Sequence, residues 1–123
     1  MAWSIDARIP LVTVAEPAAL EAALAAGRPA AVLAEAPPPD KPAGAVALVS
    51  FDLSGPVHVA GCACCQGRST AAAALDRLFQ ARVRGACGWF ERVVALAETE
   101  AARAEIAAAL AGDPVTAARF RAG

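Results

Sequence analysis

Two hydrophobic periods alternate along this chain, and their order predicts an α/β layer. Ile9-Pro10-Leu11-Val12-Thr13-Val14 is a short, β-branched run suited to a buried strand, with Pro10 at its first turn or edge. Pro17 then fits a first helical position, Leu20 and Leu24 stand four apart within Ala18 to Ala26, and Gly27 closes the segment as a C-terminal cap. Pro29 to Ala34 is a second apolar run, which completes a β-α-β unit with parallel strands. Ala45 to Phe51 reads as a third strand. Asp52-Leu53-Ser54-Gly55 reads as a turn, and Pro56 to Ala60 as a fourth strand.

The period then lengthens. Ser69 or Thr70 caps a helix that runs to Arg84, with Ala71, Ala74, Leu75, Leu78 and Phe79 on one face and Gly85 beyond its end. Phe90 to Ala97 returns to a strand pattern. Thr99 caps a helix over Glu100 to Ala111 with Ile106 and Leu110 on its buried face, Gly112 ends it, and Asp113-Pro114 opens a short closing helix towards Phe120. The expectation is one α/β domain over residues 1–123, three-layered, with a mostly parallel sheet flanked by helices. Its Pro-rich loop at 35–44 holds four prolines and continues neither neighbouring element.

Composition narrows this picture. The 123 residues suffice for one core, and 58% hydrophobic against 19% charged residues places the chain among globular proteins. A net charge of -1 with no dense basic block argues against a nucleic-acid partner or an anionic membrane surface. The longest uncharged apolar run, Leu53 to Gly67, is broken by Gly55, Pro56 and Gly61 and falls short of the roughly 18 residues a membrane span needs. The start, Met1 to Asp6, lacks a basic region followed by an apolar run. The expectation is a cytoplasmic protein whose thiols stay reduced.

Reactive side chains concentrate at one place. Gly61-Cys62-Ala63-Cys64-Cys65 holds three of the four cysteines within four positions. In an extended segment Cys62 and Cys64 face one point, and a turn at Gly61 or Gly67 brings Cys65 round. Zinc–sulfur bonds of about 2.3 Å make such crowding favourable on a metal. Disulfides fit less well, because Cys64 and Cys65 are neighbours and Cys62 to Cys64 is scarcely easier to bridge. Thiolates suit zinc or cuprous copper, with cobalt acceptable, and not calcium or magnesium. A fourth ligand could come from His58, Cys87, water or a partner. The plainer readings are a solvent-facing His58, a small buried Cys87 between Gly85 and Gly88, and three cysteines serving as small apolar residues.

The order strand, helix, strand, then Gly-Cys-x-Cys-Cys followed by an arginine and a helix resembles the CobW family of P-loop GTPases. In that family the motif binds zinc or cobalt and couples metal delivery to GTP hydrolysis. The likeness places Arg8 to Val14 at the family's first strand, Ala15 to Ala26 at its phosphate loop and first helix, and Arg28 to Glu35 at its second strand. It places Phe90 to Glu98 at the strand carrying a Glu-Thr-Thr-Gly-type sequence, of which Glu98-Thr99 is left. Asp113 to Arg121 resembles the segment that leads to the family's next strand.

The departures bear on activity. A phosphate loop needs glycines, a lysine and a Ser or Thr. Ala15-Glu16-Pro17-Ala18-Ala19-Leu20-Glu21 offers two carboxylates and no glycine, and the only lysine, Lys41, lies in the Pro-rich loop. The chain also stops before the family's guanine-reading segment and C-terminal domain. The resemblance therefore implies a shortened, P-loop-GTPase-like relative without nucleotide hydrolysis, hence not an enzyme. Such a protein holds zinc, or cobalt or cuprous copper, through Cys62, Cys64 and Cys65, with Cys87 or His58 as candidate fourth ligand. It acts as a carrier, a buffer, or the partner of a GTPase or a metalloprotein client. Two alternatives use the same sequence: a thiol redox protein or sensor, and a non-catalytic scaffold that modulates a CobW-type GTPase. Trp3 and Trp89 read as packing anchors. Glu98, Glu100 and Glu105 read as a solvated helix face.

Overall fold

A computed structural model describes residues 7–35, 40–51 and 69–123. Nine elements follow in order: β1 (Ile9–Val14), α1 (Pro17–Ala25), β2 (Ala30–Ala34), β3 (Ala45–Ser50), α2 (Thr70–Arg84), β4 (Arg92–Leu96), α3 (Glu100–Gly112), α4 (Pro114–Arg119) and β5 (Phe120–Ala122). The described strands form one sheet in the order β3-β2-β4-β1-β5, and every pairing is parallel. The expected α/β class with a parallel, helix-flanked sheet is therefore present. β1 and β2 are parallel but not neighbours, because β4 inserts between them.

That insertion explains the composition of the strands. β2 and β4 have partners on both sides and helices over both faces, so a continuous apolar run suits them better than alternation. All five residues of β2 are buried, as are Val93 to Leu96 of β4. Period two still decides which core each residue joins. Ile9, Leu11, Ala31, Leu33, Val93 and Ala95 pack with Ala74, Leu75 and Leu78 of α2 and Ile106 of α3. Ala30, Val32, Ala34, Val94 and Leu96 meet Leu20 and Leu24 of α1 on the other face.

The helix ends obey local chemistry. Ser69 Oγ accepts from the Ala72 N–H at 3.1 Å, and Thr99 Oγ1 accepts from the Ala102 N–H at 3.1 Å. The Asp113 carboxylate accepts from the N–H groups of Val115 and Thr116 at 3.1 and 3.0 Å. Gly44 combines a φ of +90° with close packing, since a Cβ there would stand 3.1 Å from the Leu24 carbonyl oxygen. It seats the loop before β3 on the end of α1.

Three details depart from the sequence reading. The closing helix ends at Arg119 and gives way to β5, which the sequence did not announce. Three residues are too few to show a period, and β5 exists through its ladder with Ile9, Pro10 and Leu11. Pro10 stands inside the sheet rather than on an edge strand, but one residue ahead of the first β1–β4 pair, Leu11 with Val93, so the donor it lacks falls outside that ladder. Trp89 is not a packing anchor: it is 59% exposed, and its ring carries the Arg82 guanidinium 3.6 Å from the centroid. Trp3 and the expected strand Pro56–Ala60 lie outside the described residues.

Candidate functional site at the carboxyl edge of the sheet

The registers bring four strand ends into line: Val14 pairs with Leu96, Leu96 with Ala34, and Ala34 with Ser50. The pattern extends one residue further, where the N–H groups of Ala97, Glu35 and Phe51 donate to the carbonyls of Val14, Leu96 and Ala34 at 2.9, 3.3 and 3.1 Å. Beyond this level the chain leaves β1 for α1 on one face and β4 for α3 on the other. Adjacent strands whose helices diverge leave a crevice at their carboxyl ends, the usual ligand position in open parallel sheets.

That crevice is built mostly from carboxylates and apolar carbon. A cavity of about 280 Å³ is lined by Pro17, Leu20 and Glu21 of α1, Asp40 and Pro42 of the Pro-rich loop, and Leu96 and Glu98 after β4. Glu98 and Glu100 are exposed, whereas Glu105 is half-buried and accepts from Thr70 Oγ1 at 3.3 Å. Thr99, besides capping α3, donates to a Glu35 carboxylate oxygen at 3.0 Å. Among the described residues no three metal-donor side chains gather at one point. The carboxylates of the cavity come from three separate segments, so no local motif signals them.

The connection where a phosphate loop would stand is two residues long. β1 ends at Val14, α1 begins at Pro17, and Ala15 and Glu16 join them. Glu16 is the extended N-cap, its side chain makes no capping bond, and Pro17 removes one N–H from the helix start. A phosphate held by such a turn would find no glycine-lined cradle of amides, and a carboxylate at the helix entrance.

Of the predicted metal-site residues, Cys62, Cys64, Cys65 and His58 lie outside the described residues, between Phe51 and Ser69. Both described flanks stand at the carboxyl edge: Phe51 follows β3, and Ser69 caps the helix that carries the chain back towards the start of β4. Cys87 is described. It is a free, half-buried thiol packed against the larger core cluster, and it follows the far end of α2. The next residue, Gly88, approaches Val46 near the start of β3. The 15 residues of α2 span about 22 Å, so Cys87 and Ser69 mark opposite ends of the sheet.

No protein-family profile matches the chain, and no curated protein or solved structure proves similar to it.

Proposed function

We propose that the chain is a metal-binding protein that holds a soft cation, zinc or alternatively cobalt or cuprous copper, through Cys62, Cys64 and Cys65. It carries or buffers that ion, or passes it to a GTPase or a metalloprotein client, and has no nucleotide hydrolysis of its own. The observation that carries this reading is the donor set: three thiols within four positions, a density that inert packing does not call for and that thiolate coordination does. The setting supports it. The segment holding the thiols is bracketed by Phe51 and Ser69 at the edge where parallel sheets present ligands.

Chain reach favours His58 or an exchangeable group over Cys87 in the fourth position. Cys65 stands four positions before Ser69, a tether of at most about 14 Å. That falls short of the length of α2, which stands between Ser69 and Cys87. An exchangeable fourth ligand suits a protein that must release its ion. The two-residue, acidic connection between β1 and α1 supports the view that any nucleotide step belongs to a partner.

Native mass spectrometry of the protein, purified under reducing conditions without added metal, tests the proposal. One bound zinc, cobalt or copper ion per chain is expected, lost when Cys62, Cys64 and Cys65 are all replaced by serine. A metal-free protein that also rejects added zinc would overturn it, and a reversible intramolecular disulfide under mild oxidant would then assign the thiols to redox chemistry.

A further inference from the structure

Helix α1 and the loop before β3 enclose a groove. Pro17, Leu20, Glu21 and Leu24 recur at spacings of three and four, so they form one stripe along α1. Asp40, Pro42 and Gly44 line the other side. Two hollows of about 280 and 420 Å³ share Glu21 and Pro42, and together they run from the carboxyl edge of the sheet, at Leu96 and Glu98, to the far end of α1. The nine residues of α1 span about 13 Å, the reach of a four-residue extended segment.

The floor of this groove is carbon and its rim is anionic. Leu20, Leu24 and Leu96 are buried, whereas Glu21, Asp40 and Glu98 are exposed. Among the described residues none of these three carboxylates has a hydrogen-bond or ion-pair partner, and no lysine or arginine belongs to the lining. Lys41 follows Asp40 in the chain without lining the groove. The arginines at the amino ends of β2 and β4 are committed to their own chain. Arg82 donates to the Phe90 carbonyl at 2.8 Å, Arg92 donates to the carbonyls of Arg28 and Ala26 at 2.9 and 2.7 Å, and Arg28 pairs with Glu91 at 3.6 Å.

We propose that this groove docks a short, extended segment of a partner protein in which lysine or arginine alternates with apolar residues. Basic side chains suit both of its surfaces, because their methylene stems lie along leucine and proline while their charged heads reach the rim carboxylates. The apolar residues between them cover Leu20, Leu24 and Leu96, a contact that a small hydrated cation would not make. A second copy suits the groove less: Arg84 is the exposed cation it offers beside the committed arginines, one charge against three carboxylates.

The test uses the full chain and an acetylated, amidated peptide, Ala-Lys-Leu-Lys-Val-Lys-Ala. One control replaces its lysines with glutamate, and the other replaces its leucine and valine with serine. Chemical shifts at Leu20, Leu24, Gly44 and Leu96 are followed by NMR; neither the groove nor the peptide involves the cysteines, so the outcome is independent of metal binding. The basic, apolar peptide is expected to shift these residues and to bind about tenfold or more tightly than either control. A double variant, Glu21→Gln with Glu98→Gln, changes only exposed carboxylates and is expected to weaken the peptide by about tenfold, whereas Glu100→Gln, outside the groove, should leave binding within about twofold. Equal binding of the serine control would show that charge alone acts and would overturn the proposal, as would undiminished binding to the double variant or shifts confined to other residues. Shifts of the groove residues that appear without peptide as the protein is concentrated would also overturn it, assigning the groove to a second copy.

Discussion

Thr99 and Glu35 join two strand ends that lie 64 residues apart in the chain: the Thr99 hydroxyl donates to a Glu35 carboxylate oxygen at 3.0 Å, across the carboxyl ends of β4 and β2. The same hydroxyl oxygen accepts from the Ala102 N–H and so begins α3. One side chain thereby sets where α3 starts and ties the segments that follow β4 and β2 together. Thr99→Ala is expected to cost about 1–2 kcal/mol in urea unfolding, whereas Thr99→Ser, which keeps both bonds, should cost well under half of that. Equal losses for the two variants would show that the hydroxyl contributes nothing and only the methyl group matters.

Two helix-terminal glycines predict opposite signs for the same substitution. Gly85 holds a φ of +72° at the end of α2, and its N–H and that of Ala86 close the last turn on Arg82 and Ala81. A Cβ there meets nothing within 4 Å, so the penalty of Gly85→Ala is conformational alone, about 1 kcal/mol of destabilisation. Gly112 also has open space around it but ends α3 without positive φ. Gly112→Ala should stabilise by roughly 0.4–1 kcal/mol, mainly by restricting the unfolded chain. Thermal melts of the two variants should move in opposite directions from wild type. A shared direction would contradict the assigned backbone geometry.

Arg82 couples the end of α2 to the start of β4. It stacks on Trp89 and donates from Nε to the Phe90 carbonyl at 2.8 Å. Burial pushes its guanidinium below the ordinary arginine value, and Glu91 raises it in part. In a Trp3→Phe background, where Trp89 is the remaining tryptophan, Arg82→Leu should change the emission of Trp89. The same change should cost about 1–2 kcal/mol of stability. Emission and stability both unchanged would mean that the stack does not persist in solution.

The sequence made most of this fold legible because the elements declare themselves locally. The short apolar, β-branched runs of β1 to β4 and the capping residues Ser69, Thr99 and Asp113 each carry their own signal. Sheet order carries none, since the insertion of β4 between β1 and β2 is decided by which pairing buries Val93 and Val94 on both faces. Trp89 departs from the packing expectation because an aromatic ring usually supplies core area, whereas here Arg82 covers one face of the indole and leaves the rest in water. At the candidate site the thiols are conspicuous as a motif, while Glu21, Asp40 and Glu98 come to line one cavity only once the chain is folded.

The central claim is that Cys62, Cys64 and Cys65 together bind one soft cation, and a zinc titration against a chromophoric chelator tests it most directly. Wild type and Cys64→Ser are titrated side by side at neutral pH under reducing conditions, with free thiols counted before and after. The account predicts one-to-one binding in the wild type that protects three thiols from the counting reagent. It predicts loss of that binding in Cys64→Ser, and weakening as the pH is lowered, because protons compete for thiolates. Zinc binding that survives Cys64→Ser, or four reactive thiols in the presence of excess zinc, would contradict it.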